Sequence, residues 1–157
     1  MNTEIFFPIF YMLCLTTIVF LFSTLIRLKE IYLNNDSSAI DGKQHKHPPF
    51  EHGSNILKNA QRNLANLFEF PIFFYMACII IAITDKVDNS FIALAYWFFY
   101  FRLAHSVYHI FFNQLIFKNG FPVRSLIWAP STIIVLIMWV KLVSMLWSNN
   151  YKLNNYE

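Results

Sequence analysis

The chain has 157 residues, of which 57% are hydrophobic, 19% aromatic and only 13% charged. Soluble domains are about a quarter charged, so this composition excludes an ordinary soluble domain and points to an integral membrane protein in a lipid bilayer. The net charge of +3 is small and scattered, which argues against nucleic acid as a partner.

Taken in chain order, four apolar runs approach the ~20 residues that a membrane helix needs. The first covers 5–26, with Pro8 in its first turn, where proline is tolerated. It lacks a basic leader and is too long for a signal peptide, so it reads as a retained helix. A polar stretch, 34–53, follows; with Asp41-Gly42 and Pro48-Pro49 it reads as a loop. The second run covers 64–84 and the third 91–112, joined by the tight polar link Thr84–Ser90 as a helical hairpin. The fourth covers 125–147. Pro71 and Pro130 are expected to kink the second and fourth helices, which membranes tolerate. Cys14 and Cys78 fall in apolar runs and read as small hydrophobes. No repeat or second domain is apparent, so the expected fold is all-α, a single membrane four-helix bundle over 1–157.

Basic residues set the orientation. Arg27, Lys29, Lys43, Lys46, Lys58, Arg62, Lys118 and Arg124 fall on one side, Lys86 and Lys152 on the other. Basic loops stay in the cytoplasm, which places both termini outside it, as in a bacterial inner membrane. Lys141 should reach outward from the fourth run. Trp97 and Trp147 sit near the outer ends of their runs and Trp128 near the inner end, where aromatic belts form.

Two polar stripes interrupt the apolar runs. Asn55, Asn59, Arg62, Asn66 and Glu69 share one helical face, with Asn63 beside it. Arg102, His105 and His109 share a face of the third helix at i, i+3 and i+7. A charge at membrane depth costs ~3 kcal/mol or more and so faces a partner or a wet cavity. Glu69 and the Arg102/His105 pair fall at similar depth on antiparallel helices, so Glu69 is expected to face one of them. The alternative is that these side chains only glue helices together. His105 and His109 have no third ligand placed with them, so no metal site is expected. His45, His47 and His52 read as solvated loop residues. Arg62 and Arg124 either anchor helix ends in headgroups or line an anion site open to the cytoplasm. The first N–H groups of the fourth helix would favour an anion beside Arg124 and Ser125. No nucleophile elbow, phosphate-binding glycine loop or zinc cysteine pair is present.

These segments resemble the MAPEG superfamily, membrane-associated proteins in eicosanoid and glutathione metabolism. Arg62-Asn63-Leu-Ala-Asn66-Leu-Phe-Glu69-Phe-Pro71 resembles its Arg-Asn-x-x-Glu followed by proline. Arg102-Leu-Ala-His105 resembles its Arg-x-x-His, and Pro122-Val-Arg124-Ser125 the Pro-Ile-Arg-Ser of microsomal prostaglandin E synthases. The longer segments Asn66–Tyr75 and Arg102–Asn113 are closer to a bacterial branch. The resemblance covers nearly the whole chain. It implies a homotrimer of four-helix subunits that binds glutathione between subunits near the cytoplasmic side. By the same resemblance Arg124 is the catalytic, thiolate-stabilising arginine. Arg62, Asn63, Asn66, Glu69, Arg102, His105, Tyr108, His109 and Ser125 would then surround glutathione. Two positions depart from the family pattern: Asn66 stands where the family has glutamate, and His109, beside Tyr108, where it has tyrosine. The link between the third and fourth runs is also longer than in the eicosanoid enzymes, and an eicosanoid substrate is not expected.

Three functions follow. One is a glutathione transferase or peroxidase acting on a lipophilic small molecule. The second is a non-catalytic membrane module that binds a lipid or protein. The third, a transporter, is the weakest, because no broken-helix repeat is present.

Overall fold

A computed structural model describes residues 3–33, 53–113 and 123–154. Within them the protein is all-helical, with the order α1 (Phe6–Leu33), α2 (Asn55–Glu69), α3 (Pro71–Ile83), α4 (Asn89–Phe111) and α5 (Val123–Asn154). The loop expected over 34–53, with His45, His47 and His52, and also Lys118 and Pro122, lie outside the described residues, Gly53 excepted.

Apolar side chains cover the outside of the helices as well as filling the core. Along α1, Met12, Leu15 and Val19 are buried at helical spacing. Leu13, Phe20, Leu21 and Leu25 on the same helix are exposed. Leu136, Val140, Val143 and Trp147 do the same on α5. Meanwhile Ser23, Asn63, Arg102, His105, Ser106, His109 and Ser131 are buried. Contiguous apolar exteriors of this extent belong against hydrocarbon, where the outer surface needs no water. Three helical stretches, Phe6–Tyr32, Asn55–Ile83 and Val123–Ser148, are long and apolar enough to cross a membrane.

The helices differ from the expected runs in instructive ways. α1 continues past residue 26 through Arg27 and Lys29, and Glu30 ends up buried, accepting a hydrogen bond from the Ser54 N–H at 3.2 Å. The second helix starts at Asn55 rather than Leu64, because Ser54 caps it by accepting from the Leu57 N–H at 3.2 Å. It breaks at Phe70, where Pro71 opens α3 without an N–H to donate. α5, in contrast, runs through Pro130 without ending and extends to Asn154. α4 matches the others in length, but Arg102, His105, His109 and its tyrosines keep it out of the strongly apolar set.

α4 packs against α5, α2 and α1, so its polar face points into the bundle. The core beyond that face is aromatic and aliphatic. Phe74 of α3 stacks on Phe98 of α4 with centroids 4.1 Å apart and planes 13° apart. Met138 and Leu142 of α5 and Phe91 and Ala95 of α4 belong to the same core. At the N-terminal end of α4, Asp88 accepts from the Phe91 N–H at 2.7 Å and pairs with Lys141 of α5 at 2.6 Å. Lys141 thus reaches toward the polar link, as its snorkelling position suggests, and its ammonium also lies 4.3 Å from the Phe91 ring centroid.

Candidate functional site

Polar groups from α2, α4 and α5 converge at the end of the bundle opposite Asp88. α4 stops there in a tight cap. Asn113 takes a left-handed backbone conformation, φ 41°, and its N–H closes on the Tyr108 carbonyl at 2.9 Å. Asparagine is, after glycine, the residue that best tolerates that geometry. Its side chain joins three helices: Asn113 Nδ2 donates to Asn59 Oδ1 at 2.9 Å, and Asn113 Oδ1 accepts from Arg124 Nη1 at 2.8 Å. Asn59 Nδ2 in turn approaches the Ile110 carbonyl at 3.4 Å.

Below this end lies the buried face of α4. Arg102 is fully buried, and its Nη2 donates to the Asn66 backbone carbonyl. That carbonyl is one of the last four of α2, the groups that a helix end leaves available to other donors. The Arg102 guanidinium also lies 6.0 Å from the Phe98 ring centroid. His105 and His109 stack edge-tilted with centroids 5.4 Å apart, both nearly inaccessible. Asn113, which holds Arg124, follows His109 by one turn at the end of α4, so Arg124 and the two histidines share one region.

The expected pair between Glu69 and Arg102 or His105 is not formed. Glu69 is exposed, and the Asn66 carbonyl, one turn away, takes the guanidinium instead. Arg62 is likewise exposed, whereas Asn63 is fully buried. Tyr108 is half-buried, its ring 5.6 Å from that of Phe112, and Ser125 is half-buried beside Arg124. The structure therefore brings Arg124, Asn63, Asn66, Arg102, His105 and His109 into one region and turns Glu69 away from it. Asn59 was expected in the polar stripe, as helix glue or a ligand contact, and Asn113 was not singled out from sequence. A polar residue closing an apolar helix was the only available signal for Asn113.

Buried polar atoms are almost always hydrogen-bonded. Here both amide atoms of Asn63, Nε and Nη1 of Arg102, and Nδ1 of both His105 and His109 have no partner among the described residues. Such a set, rich in donors and without a carboxylate among its recorded partners, suits an anionic, hydrogen-bonding ligand or ordered water.

A family model described as the MAPEG family matches residues 5–144 of this sequence. The chain belongs to the MAPEG family. No curated protein and no solved structure gives a significant match. With its three strongly apolar helices, this MAPEG protein is an integral membrane protein.

Proposed function

We propose that this MAPEG protein is a glutathione-dependent transferase or peroxidase acting on a lipophilic electrophile. The observation that carries the reading is Arg124: a half-buried guanidinium held at the cationic end of the bundle, with Nη1 fixed on Asn113 Oδ1. Glutathione, when bound, supplies the sulfur that forms a carbon–sulfur bond in a transferase or is oxidised in a peroxidase. Arg124 favours the charged form of a thiol placed beside it through charge-assisted hydrogen bonds. Arg62, exposed at the same end, meets a carboxylate, and Asn63, His105 and His109 offer neutral hydrogen-bonding atoms.

A groove of about 440 Å³ between α1 and the α2–α3 helix suits the lipophilic co-substrate. Ile9, Leu13, Phe68, Ile72 and Ile79 line it. Tyr75 and Thr16, both in its lining, supply its polar spot. The working unit in this reading is a homotrimer. Asn55, Arg62 and Glu69 form an exposed polar face on α2, and each charge turned toward lipid costs ~2.5–3.5 kcal/mol. A second copy offers that face a polar neighbour. The basic bias of the Arg62/Arg124 end supports its placement on the cytoplasmic side, with both termini outside.

The test is a glutathione titration of the purified protein, with thiolate formation followed by ultraviolet absorption. Wild type is expected to develop the thiolate band, and Arg124→Ala to lose it while keeping its assembly. No binding at millimolar glutathione sinks the reading. One observation favours the alternative of a non-catalytic module: Arg124 already serves as a tie between α5 and α4 through Asn113. In that case Arg124→Ala disrupts assembly and wild type ignores glutathione.

A further inference from the structure

We infer that Asn113 is a positioning residue for Arg124, the last link of an amide relay that fixes the guanidinium on the end of α4. The functional consequence rests on the glutathione reading; the positioning itself does not. An arginine side chain carries only donors, so it must face an acceptor, Asn113 Oδ1. That fixes the other half of the Asn113 amide as a donor toward Asn59 Oδ1. Asn59 is then turned so that its own Nδ2 points at the Ile110 carbonyl of α4. Every amide in the chain has one orientation that satisfies all three contacts. The backbone adds a second constraint, because Asn113 sits in the left-handed cap and its side chain leaves the helix end in a set direction.

The consequence is selective. The relay occupies Nη1 of Arg124 and none of its other donors. It also removes the freedom of a long side chain that otherwise samples many rotamers before it meets one. A neutral amide does this without cancelling the charge, whereas a carboxylate at position 113 would hold Arg124 equally well and neutralise it.

The test uses the full-length protein in nanodiscs and three variants. Asn113→Gly keeps the left-handed cap and deletes the amide. Asn59→Ala leaves the cap untouched and removes the middle link. Asn113→Asp keeps an acceptor for Arg124. The first readout is the rate at which phenylglyoxal, an arginine-selective dicarbonyl, modifies Arg124, measured by peptide mass spectrometry with Arg62 as internal reference. Asn113→Gly should speed modification of Arg124 about tenfold or more, the factor that a hydrogen bond to a charged group is worth. Asn59→Ala should act in the same direction but less, Asn113→Asp should restore slow modification, and Arg62 should react equally in all. The second readout is the glutathione thiolate band, which should fall in Asn113→Gly and stay low in Asn113→Asp despite the protected arginine. Equal Arg124 rates in wild type and Asn113→Gly overturn the inference. Faster modification in Asn113→Gly, with no thiolate band in wild type, upholds the positioning and removes the glutathione reading.

Discussion

Asp88 joins two contacts in one carboxylate, and substitutions can separate them. Oδ1 caps α4 by accepting from the Phe91 N–H at 2.7 Å; Oδ2 holds Lys141 at 2.6 Å. Losing an N-cap costs about 1 kcal/mol, within a range of roughly 0.5–2. The ion pair is worth less, because its side chains are 40% and 28% exposed; such pairs contribute about 0.2–1 kcal/mol. Asp88→Ala should therefore cost about 1–2 kcal/mol, and Asp88→Asn, which still caps, only about 0.5 kcal/mol. The assay is reversible unfolding in mixed micelles, followed by tryptophan fluorescence. Equal losses for the two variants refute the reasoning, because the cap would then contribute nothing. The pH dependence has a definite sign. Partial burial opposes ionisation of Asp88, but the Lys141 ammonium and the Phe91 N–H outweigh it and hold the carboxyl below its ordinary value of 3.8. The unfolded chain thus binds the proton first as pH falls. The contribution of Asp88 is fully present above pH 3.8 and is lost as pH drops through the lowered native value. Asp88→Asn should lack that component of the acid loss.

Phe98→Ala removes one ring of the stacked Phe74/Phe98 pair, both fully buried, and should cost about 3–5 kcal/mol in the same unfolding assay. A smaller loss would mean that the core collapses onto the gap. Glu69→Leu and Arg102→Met should act independently, with a coupling below about 0.5 kcal/mol in a double-mutant cycle, because Arg102 bonds to the Asn66 backbone and not to Glu69. A coupling of several times that size would restore the pair that the fold argues against.

Helices were legible in the sequence because apolar runs of membrane length leave few alternatives. Their ends were less legible. The apolar run starts only at Leu64, but the stripe from Asn55 to Glu69 already marked a helical face, and the Ser54 cap sets where that helix begins. Depth was nearly right: Arg102 meets Asn66, a single turn from the expected Glu69. Rotation about the helix axis was not encoded in spacing alone, so Glu69 could not be seen to face outward. Arg124, Asn63, Arg102, His105 and His109 were recognisable because polar side chains at membrane depth stand out. The contacts of Asn59 and Asn113 were not, because they join residues 54 and 11 positions apart on three helices. No periodicity on one helix carries that information.

α4 is pinned to α5 twice, by Asp88–Lys141 at one end and Asn113–Arg124 at the other. The two anchor points on α5 are about 25 Å apart along its axis. A rod fastened at both ends to its neighbour can neither slide as a piston nor roll about its own axis without breaking a fastening. The buried row of Arg102, His105 and His109 is therefore held at constant height and azimuth. Whatever rearrangement occurs there is confined to side-chain torsions, or must come from α1 and the proline-broken α2–α3 helix moving around a stationary α4–α5 frame.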